Sequence, residues 1–338
     1  MGLFLNLALS PANGDPSFGN GRLVASGFPV SCAHFFCCTG ACPMKDQLAP
    51  ALFKLLALLP LGVLRALGSL AGSLMWLLNG RSAKITRENI SLCFPELSPA
   101  DQNLLSRQSL QETAKTAMEA GAIWRNSWSW LQGKIVAMEG DEILRAKLAE
   151  GKGVLVLAPH HGNWEVVAPY LASVANLTAM YQPLENPKMD ELVLAGRSKL
   201  NITMAPTNRK GVMMLFKALQ GGTIVGILPD QVPARDAGGE IAPFMGQPAL
   251  TMTLVQGLIQ RTGCAVCSCF AERVDGGFKI VVLEADEQIY SEDPLTSVTG
   301  LNASVAACVR RAPAQYQWEY KRFRRLPEPY PKRYRFKS

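Results

Sequence analysis

The sequence predicts one α/β domain whose central sheet is mostly parallel or mixed and flanked by helices, with a hydrophobic helix before it. The run Gly153-Val-Leu-Val-Leu-Ala158 is continuously apolar, as in strands covered on both faces. Helix-like and strand-like runs then alternate as far as residue 312 without a fixed-period repeat. A long apolar segment upstream of these runs predicts the additional helix.

Three segments divide the chain. Residues 1–43 contain only Asp15 and Arg22 as charged residues, and we expect an over-extended start or a disordered leader, with Met44 as the natural initiator. Residues 44–80 are expected to form a hydrophobic, membrane-anchoring helix, and residues 81–338 the α/β domain.

The apolar run from Ala51 to Leu78 is long enough to span a bilayer, and Arg81, Lys84 and Arg87 after it would then place the rest of the chain on the cytoplasmic side. An in-plane helix is the alternative, since Lys54 and Arg65 project from one face of a continuous helix. A buried core helix is the third possibility. The sequence leaves all three open.

Within the domain, segments 98–131 and 139–150 are predicted helices, the first opened by the cap Ser98-Pro99-Ala100-Asp101. The alternating runs that follow are 164–174, Thr178–Gln182, 188–200, 211–220, Thr223–Leu228, 249–262, 264–272, Phe278–Leu283 and 296–312.

Composition favours association with a membrane or a partly apolar appendage. Charged residues make up 18% of the chain, below the roughly 25% typical of soluble domains. The net charge of +7 is uneven, because ten Lys or Arg lie between Arg310 and Lys337 against only Glu319 and Glu328. This end suits anionic lipid headgroups, phosphates or an acidic carrier, or it is simply a solvated charged face.

The cysteines predict neither a disulfide framework nor a metal site. Four of the nine lie within the first 43 residues. Cys264, Cys267 and Cys269 occupy an apolar run whose alternation resembles a strand, and no Cys/His pair follows at zinc spacing. We therefore expect no metal or other cofactor and a reducing, cytoplasmic setting.

The candidate catalytic residues follow the first buried strand. His160 comes directly after it, Gly162-Asn163 forms a turn, and Glu165 lies in the first turn of the next helix. Ligands of open α/β sheets bind at this edge. A first-turn carboxylate can accept the Nδ1 hydrogen of the imidazole and leave Nε2 free as a general base. A buried structural histidine beside a capping acid explains the same pattern.

Further blocks of sequence give the motif a context. Pro-His-His-Gly-Asn-Trp-Glu resembles the His-x4-Asp/Glu signature of glycerolipid-type acyltransferases, in the form used by the lipid A late acyltransferases. Similar blocks follow in the same order over residues 50–325: Arg87 to Ser98, Tyr181-Gln182-Pro183, Asn186-Pro187, Arg209-Lys-Gly211, Gly226-Ile-Leu-Pro-Asp230-Gln231, Pro243-Phe-Met-Gly246 with Thr251, Gln315-Tyr-Gln-Trp318 and Lys321-Arg322-Phe323.

The resemblance implies a glycerolipid-acyltransferase-like fold and an enzyme of the bacterial inner membrane, with its catalytic domain on the cytoplasmic face. It would move a fatty acyl chain from an acyl carrier protein thioester to a hydroxyl of a lipid A precursor. His160 would be the base and Glu165 its orienting acid. Other lipid acceptors, such as a lysophospholipid, an amino-acid lipid or a glycolipid, stay open, as does a non-catalytic lipid-binding protein.

The resemblance also suggests substrate-binding residues: Asn163, Arg197, Arg209, Lys210, Asp230 and Gln231. Asp230 is expected at the same sheet edge as His160, where it could pair with Arg209 or simply cap a turn. The three cations are candidates for phosphate or carrier contacts or are solvated charges. Gln182 stands where relatives often have arginine and receives no role.

Two further expectations concern His161 and the C-terminal signature. His161 stands where relatives commonly carry an apolar residue, and we expect it to pack or to cap the loop. The segment Trp318 to Arg325 mixes aromatics with cations, but no nucleic-acid-binding motif accompanies it. We therefore assign this segment to the membrane headgroup region rather than to nucleic acid.

Overall fold

The structure, a computed structural model, describes residues 45–184, 186–198, 200–235 and 237–336. Its strands are β1 Ile135–Glu139, β2 Val154–Leu157, β3 Leu177–Tyr181, β4 Ile202–Pro206, β5 Ile224–Ile227, β6 Gly239–Phe244, β7 Gln247–Met252, β8 Ala265–Val274 and β9 Gly277–Glu284. Seven of them form one sheet in the order β1-β9-β8-β2-β5-β3-β4, and β6 and β7 form a separate hairpin. All neighbours in the large sheet are parallel except β8 and β9. The prediction of an α/β domain with a mixed sheet is confirmed.

The helices are α1 Lys45–Leu56, α2 Leu61–Leu77, α3 Arg81–Cys93, α4 Pro99–Arg125, α5 Trp128–Gln132, α6 Asp141–Ala149, α7 Trp164–Val174, α8 Pro187–Arg197, α9 Arg209–Gln220, α10 Leu254–Thr262 and α11 Pro294–Arg311. Helices cover both faces of the sheet. Val154 and Val156 of β2 pack in one apolar cluster with α7, whereas Leu155 and Leu157 pack in another with α9 and α10. This two-sided burial explains why β2 is continuously apolar.

Several element boundaries differ from the predictions. The predicted helix 98–131 is two helices, because Asn126 is extended and the Ser127 side chain caps α5 by accepting from the Trp130 N–H. The predicted run 249–262 divides into the end of β7 and α10. Strands β1 and β4 and the β6–β7 hairpin were not predicted. Their residues are partly exposed and lack the continuous apolar run of β2.

The apolar N-terminal segment is not one helix. A break before Pro60 separates α1 from α2. Within the described residues, no single helix is long and apolar enough to cross a bilayer, whereas α2 and α3 would qualify together but are bent by 85°. The predictions for residues 1–43 lie outside the described residues.

Helix α2 lies directly against α4. A Cβ atom on Gly72 would lie 2.3 Å from the Cα of Gln111, and one on Gly68 would lie 2.6 Å from the Cα of Lys115. The backbones therefore approach too closely for any side chain at these two positions. Arg65 is half-buried on the same face of α2, where its Nε donates to Glu119 Oε1 at 2.7 Å. The expectation that Lys54 and Arg65 share an outward helix face is wrong.

The C-terminal signature is part of the core and does not lie in a headgroup region. Trp318 and Phe323 are almost fully buried with β6 and α3 residues in one apolar cluster. Arg322 is also buried, where it donates to the Leu250 carbonyl at 2.7 Å and to Thr251 Oγ1. The assignment of this signature to the membrane surface is therefore wrong. Its aromatic side chains fill the core, and Arg322 satisfies buried oxygen acceptors.

Candidate functional site

The candidate site lies where two neighbouring parallel strands end. Strands β2 and β5 pair in register from Val154 and Ile224, so the residues that follow them reach the same sheet edge. Asp230 Oδ1 lies 2.9 Å from His160 Nδ1, and Asp230 Oδ2 accepts the His160 backbone N–H at 2.9 Å. The two residues therefore meet as the sequence predicts, but Asp230 pairs with His160 and not with Arg209.

This contact defines the tautomer of the imidazole. A carboxylate only accepts hydrogen bonds, so Nδ1 of His160 carries a hydrogen, and in the neutral ring the lone pair is therefore on Nε2. Burial raises the pKa of Asp230, but attraction to His160 and hydrogen bonds from its ring and backbone outweigh burial, and the net pKa lies below the ordinary value. Asp230 is thus an ionised acceptor that fixes the ring.

Two glutamine side chains line the approach to the other ring nitrogen. Gln231 Nε2 lies 3.2 Å from His160 Nε2 and also donates to Gln317 Oε1 at 3.2 Å. The backbone N–H of Gln317 donates to the His160 carbonyl at 3.1 Å. His160 is therefore held through its backbone and both ring nitrogens, and Gln231 is the side chain that contacts Nε2.

Glu165 occupies the first turn of α7, but its partners differ from the prediction. Its carboxylate accepts from Arg197 through two nitrogens, with Nε at 2.9 Å from Oε2, and from Trp124 Nε1 at 2.7 Å. Burial raises the pKa of Glu165, and the guanidinium of Arg197 more than offsets it, so the net pKa is lowered. The carboxylate bonded to His160 is Asp230, since the bonds of Glu165 are directed to α8 and α4.

Asn163 lies between the two catalytic candidates and is fully buried. Its Oδ1 accepts the Glu165 backbone N–H at 3.2 Å as a helix cap, and its Nδ2 donates to Glu119 at 2.8 Å. It does not line the cavity beside the site. In the structure, Asn163 therefore holds the loop in place and is not exposed to the cavity where a substrate would bind.

His161 points away from the site into the core. It is fully buried, and its ring lies 4.6 Å from that of Phe270 and 6.3 Å from that of Tyr316, centroid to centroid. Burial lowers the pKa of His161 to about 3, so the ring stays neutral. Its two ring nitrogens have no hydrogen-bond partner. This is the arrangement of a packing residue. The two adjacent histidines therefore differ in their surroundings: His160 lies at the cavity, whereas His161 lies in the core.

A cavity of about 1270 Å³ opens beside His160. Its walls include parts of β3, β4, β5, α7, α9 and α10 and are mostly apolar, with four methionines, Phe216 and several leucines. The polar residues that line it include His160, Glu165, Gln182, Arg197, Asn208, Arg209 and Gln231. This volume and lining suit a long apolar ligand whose polar end reaches His160.

The predicted cations are placed differently from one another. Arg197 lines the cavity and is held by Glu165, with its guanidinium carbon 5.8 Å from the centroid of the Tyr181 ring. Arg209 lines the cavity from an exposed position at the start of α9. Lys210 is exposed and does not line the cavity.

Sequence reasoning missed Trp124 and Gln317 as parts of the site. Trp124 lies on α4, 41 residues before its partner Glu165, and no local pattern marks it. Gln317 belongs to the C-terminal signature, and its place in that block is the only feature of the sequence that could have indicated a role in the site. Among the described residues, no group of His, Cys, Asp or Glu is arranged to hold a metal ion.

Comparison with known proteins places this site in a family. The chain is 29% identical to the lipid A biosynthesis lauroyltransferase of Escherichia coli over 281 residues, covering 82% of this chain and 90% of the relative. It is 25% identical to the lipid A biosynthesis palmitoleoyltransferase of the same organism, covering 80% and 87%. A lipid A biosynthesis acyltransferase of Haemophilus influenzae is 24% identical, covering 83% and 90%.

The family comparison covers more of the chain than any single motif. Residues 44–325 match the family described as "Bacterial lipid A biosynthesis acyltransferase". The match includes the His160 loop, Arg197, Asp230 and the buried C-terminal signature. Because it spans well over half of the sequence, the chain belongs to the bacterial lipid A biosynthesis acyltransferase family.

Proposed function

We propose that this chain transfers a fatty acyl group from an acyl carrier protein thioester to a hydroxyl of a lipid A precursor. The observation that carries the proposal is the buried His160–Asp230 pair at the wall of a large apolar cavity. Its relatives are lipid A acyltransferases, which supports a secondary acylation of lipid A. The carrier protein as donor and the base mechanism are the finer parts of the proposal.

The chemistry needs a base because an alcohol is a poor nucleophile near neutral pH. His160 Nε2 takes the proton of the acceptor hydroxyl while the hydroxyl oxygen forms a bond to the thioester carbonyl carbon. The tetrahedral intermediate then expels the thiolate, which takes up the proton from the imidazolium. Asp230 keeps the Nδ1 hydrogen in place and stabilises the imidazolium while it exists.

The proposal gives Arg197 a role in binding negative charge. It lines the cavity, and its two-nitrogen contact with Glu165 fixes the guanidinium plane. Glu165 therefore acts by holding Arg197 and, through Trp124, by tying α7 to α4. A fixed guanidinium at the cavity wall is suited to an anionic group of the acceptor or to the negative charge of the intermediate.

We propose that α2 attaches the enzyme in the plane of the inner membrane, with the catalytic domain on the cytoplasmic face. Leu70, Leu74 and Leu77 lie on one helix face and are 69%, 50% and 70% exposed. The opposite face of α2 packs closely against α4. A helix with an exposed apolar face and an opposite face packed against the protein is suited to lie at the membrane–water interface.

The function is tested by lipid A mass spectrometry on cells with and without the gene, together with transfer assays on the purified protein. We expect the deletion to remove one secondary acyl chain, and the purified protein to transfer label from an acyl carrier thioester to a lipid A precursor. An unchanged lipid A profile with transfer to another lipid would favour the alternative acceptors. No transfer from any acyl thioester would contradict an enzymatic role.

Substitutions at the site separate the proposed roles. We expect His160→Ala and Asp230→Asn each to lower kcat by roughly 10²–10⁴-fold, because the first removes the base and the second its orientation. Glu165→Gln should lower kcat by releasing Arg197. His161→Phe is the matched control for His160 and should keep most of the activity. If His161→Phe were inactive while His160→Ala were active, the base assignment would be wrong.

The membrane proposal is tested by flotation with vesicles of phosphatidylethanolamine and phosphatidylglycerol. We expect Leu70→Glu combined with Leu74→Glu to weaken vesicle binding by about tenfold or more, since each buried leucine contributes roughly 1.5–3 kcal/mol. Leu295→Glu is the control, because Leu295 is 48% exposed but lies on α11. Wild-type flotation of the double variant, with an unchanged melting temperature, would rule out α2 as the contact.

A further inference from the structure

A cluster of buried charges lies behind the catalytic loop and takes no part in the mechanism described above. Its centre is Glu119 of α4, which is fully buried. Glu119 Oε1 accepts from Arg65 Nε at 2.7 Å and from Arg273 Nε at 3.1 Å. Glu119 Oε2 accepts from Arg273 Nη2 at 2.9 Å and from Asn163 Nδ2 at 2.8 Å. One carboxylate thus joins α2, α4, β8 and the catalytic loop.

The cluster also holds the loop through its backbone. Arg273 Nη2 donates to Thr116 Oγ1 at 2.7 Å, and Thr116 Oγ1 donates to the Gly162 carbonyl at 3.1 Å. The side chain of Gln315 bonds to the backbone N–H and carbonyl of Arg273, and the Gln315 carbonyl accepts the Gly162 N–H at 2.9 Å. Both polar backbone groups of Gly162 are therefore bound by partners of Arg273.

The loop needs this support because its backbone is unusual at one residue. Gly162 has φ of +61°, and a Cβ atom there would lie 2.0 Å from the Ala271 carbonyl oxygen. The next residue, Asn163, donates its N–H to the same carbonyl at 2.8 Å and caps the Glu165 N–H. His160 lies two residues before this turn and Glu165 three residues after it, so the direction of both depends on the turn.

Stability alone does not account for such a cluster. Removing charges from water costs free energy that their mutual attraction only partly returns, and apolar side chains of similar size often stabilise a core as well. Burial raises the pKa of Glu119, but Arg273 and Arg65 outweigh it, so the net pKa is lowered and the carboxylate stays ionised. An ionised carboxylate accepts every one of these hydrogen bonds and so fixes its partners in direction.

We propose that Glu119 is a positioning residue for acyl transfer: it fixes the catalytic loop through Asn163 and ties that loop to α2 through Arg65. The proposal rests on the proposed function for its kinetic consequence, but the loop geometry is independent of it. Glu119 does not line the cavity and has no contact with a reacting atom. It acts on the direction of His160 and Glu165 only through the loop.

An exchange of side chains between Glu119 and Asn163 tests the proposal. In Glu119→Gln, the amide NH₂ group replaces one carboxylate oxygen and faces the two donors that this oxygen had bound, so two hydrogen bonds are lost. In Asn163→Asp, two carboxylates face each other. The double variant Glu119→Gln with Asn163→Asp restores a donor facing an acceptor between residues 119 and 163, although Arg273 Nη2 still faces the amide, and the second aspartate oxygen can still cap Glu165. Glu139→Gln is the matched control, because Glu139 pairs with Lys279 and Arg311 on the surface.

Three quantities are measured on each full-length variant: melting temperature, amide hydrogen exchange of the peptide covering residues 159–165, and kcat and KM of acyl transfer. We expect both single variants to exchange faster in this peptide and to lose about tenfold or more in kcat with little change in KM. The double variant should recover slow exchange and most of kcat, whereas Glu139→Gln should match the wild type.

Other outcomes overturn the proposal. The proposal is wrong if Glu119→Gln has the same hydrogen exchange and the same kcat as Glu139→Gln. It is also wrong if the double variant folds but is as impaired as the more impaired of the two single variants. If Glu119→Gln does not fold, Thr116→Val decides, because it removes the bond to Gly162 without a change of charge: unchanged exchange would refute loop positioning. Absence of transfer by the wild type would refute the proposed function alone, since hydrogen exchange still tests the loop.

Discussion

The hydrogen bond between His160 and Asp230 is the contact on which the candidate site depends. It exists because β2 and β5 are parallel neighbours in the sheet, so residues 70 positions apart reach the same edge. The buried carboxylate fixes the tautomer of the imidazole and leaves Nε2 available for a proton. In the proposed reaction, the apolar cavity beside it supplies space for the acyl chain, and the pair supplies the base.

Paired charges organise the region around this contact. Arg197 with Glu165 forms one wall of the cavity, and Arg273 with Glu119 lies behind the loop that carries His160. The carboxylate of each pair is buried, and in both the pKa of the carboxyl group is lowered. The site therefore combines an apolar cavity with carboxylates that stay ionised. Because water screens these buried carboxylates less, they interact more strongly with neighbouring groups.

The sequence carried the local features of the site but not its partners. The continuous apolar run and the turn before Trp164 predicted β2, the loop and α7, because burial on both faces and helix capping leave local patterns. The partner of His160 was mistaken, since Glu165 is near in sequence whereas Asp230 is near only in the folded sheet. The in-plane alternative, which rested on Arg65, and the assignment of the Trp318 segment to the membrane surface failed for the same reason, because the partners of these residues are distant in the chain.

Nitrogen-15 NMR of histidine-labelled protein tests most directly the claim that Asp230, not Glu165, orients His160. The wild type and Glu165→Gln are predicted to show a His160 ring with a hydrogen on Nδ1, and Asp230→Asn to lose that preference. A ring that kept the Nδ1 hydrogen in Asp230→Asn but lost it in Glu165→Gln would contradict the account and return the orienting role to Glu165.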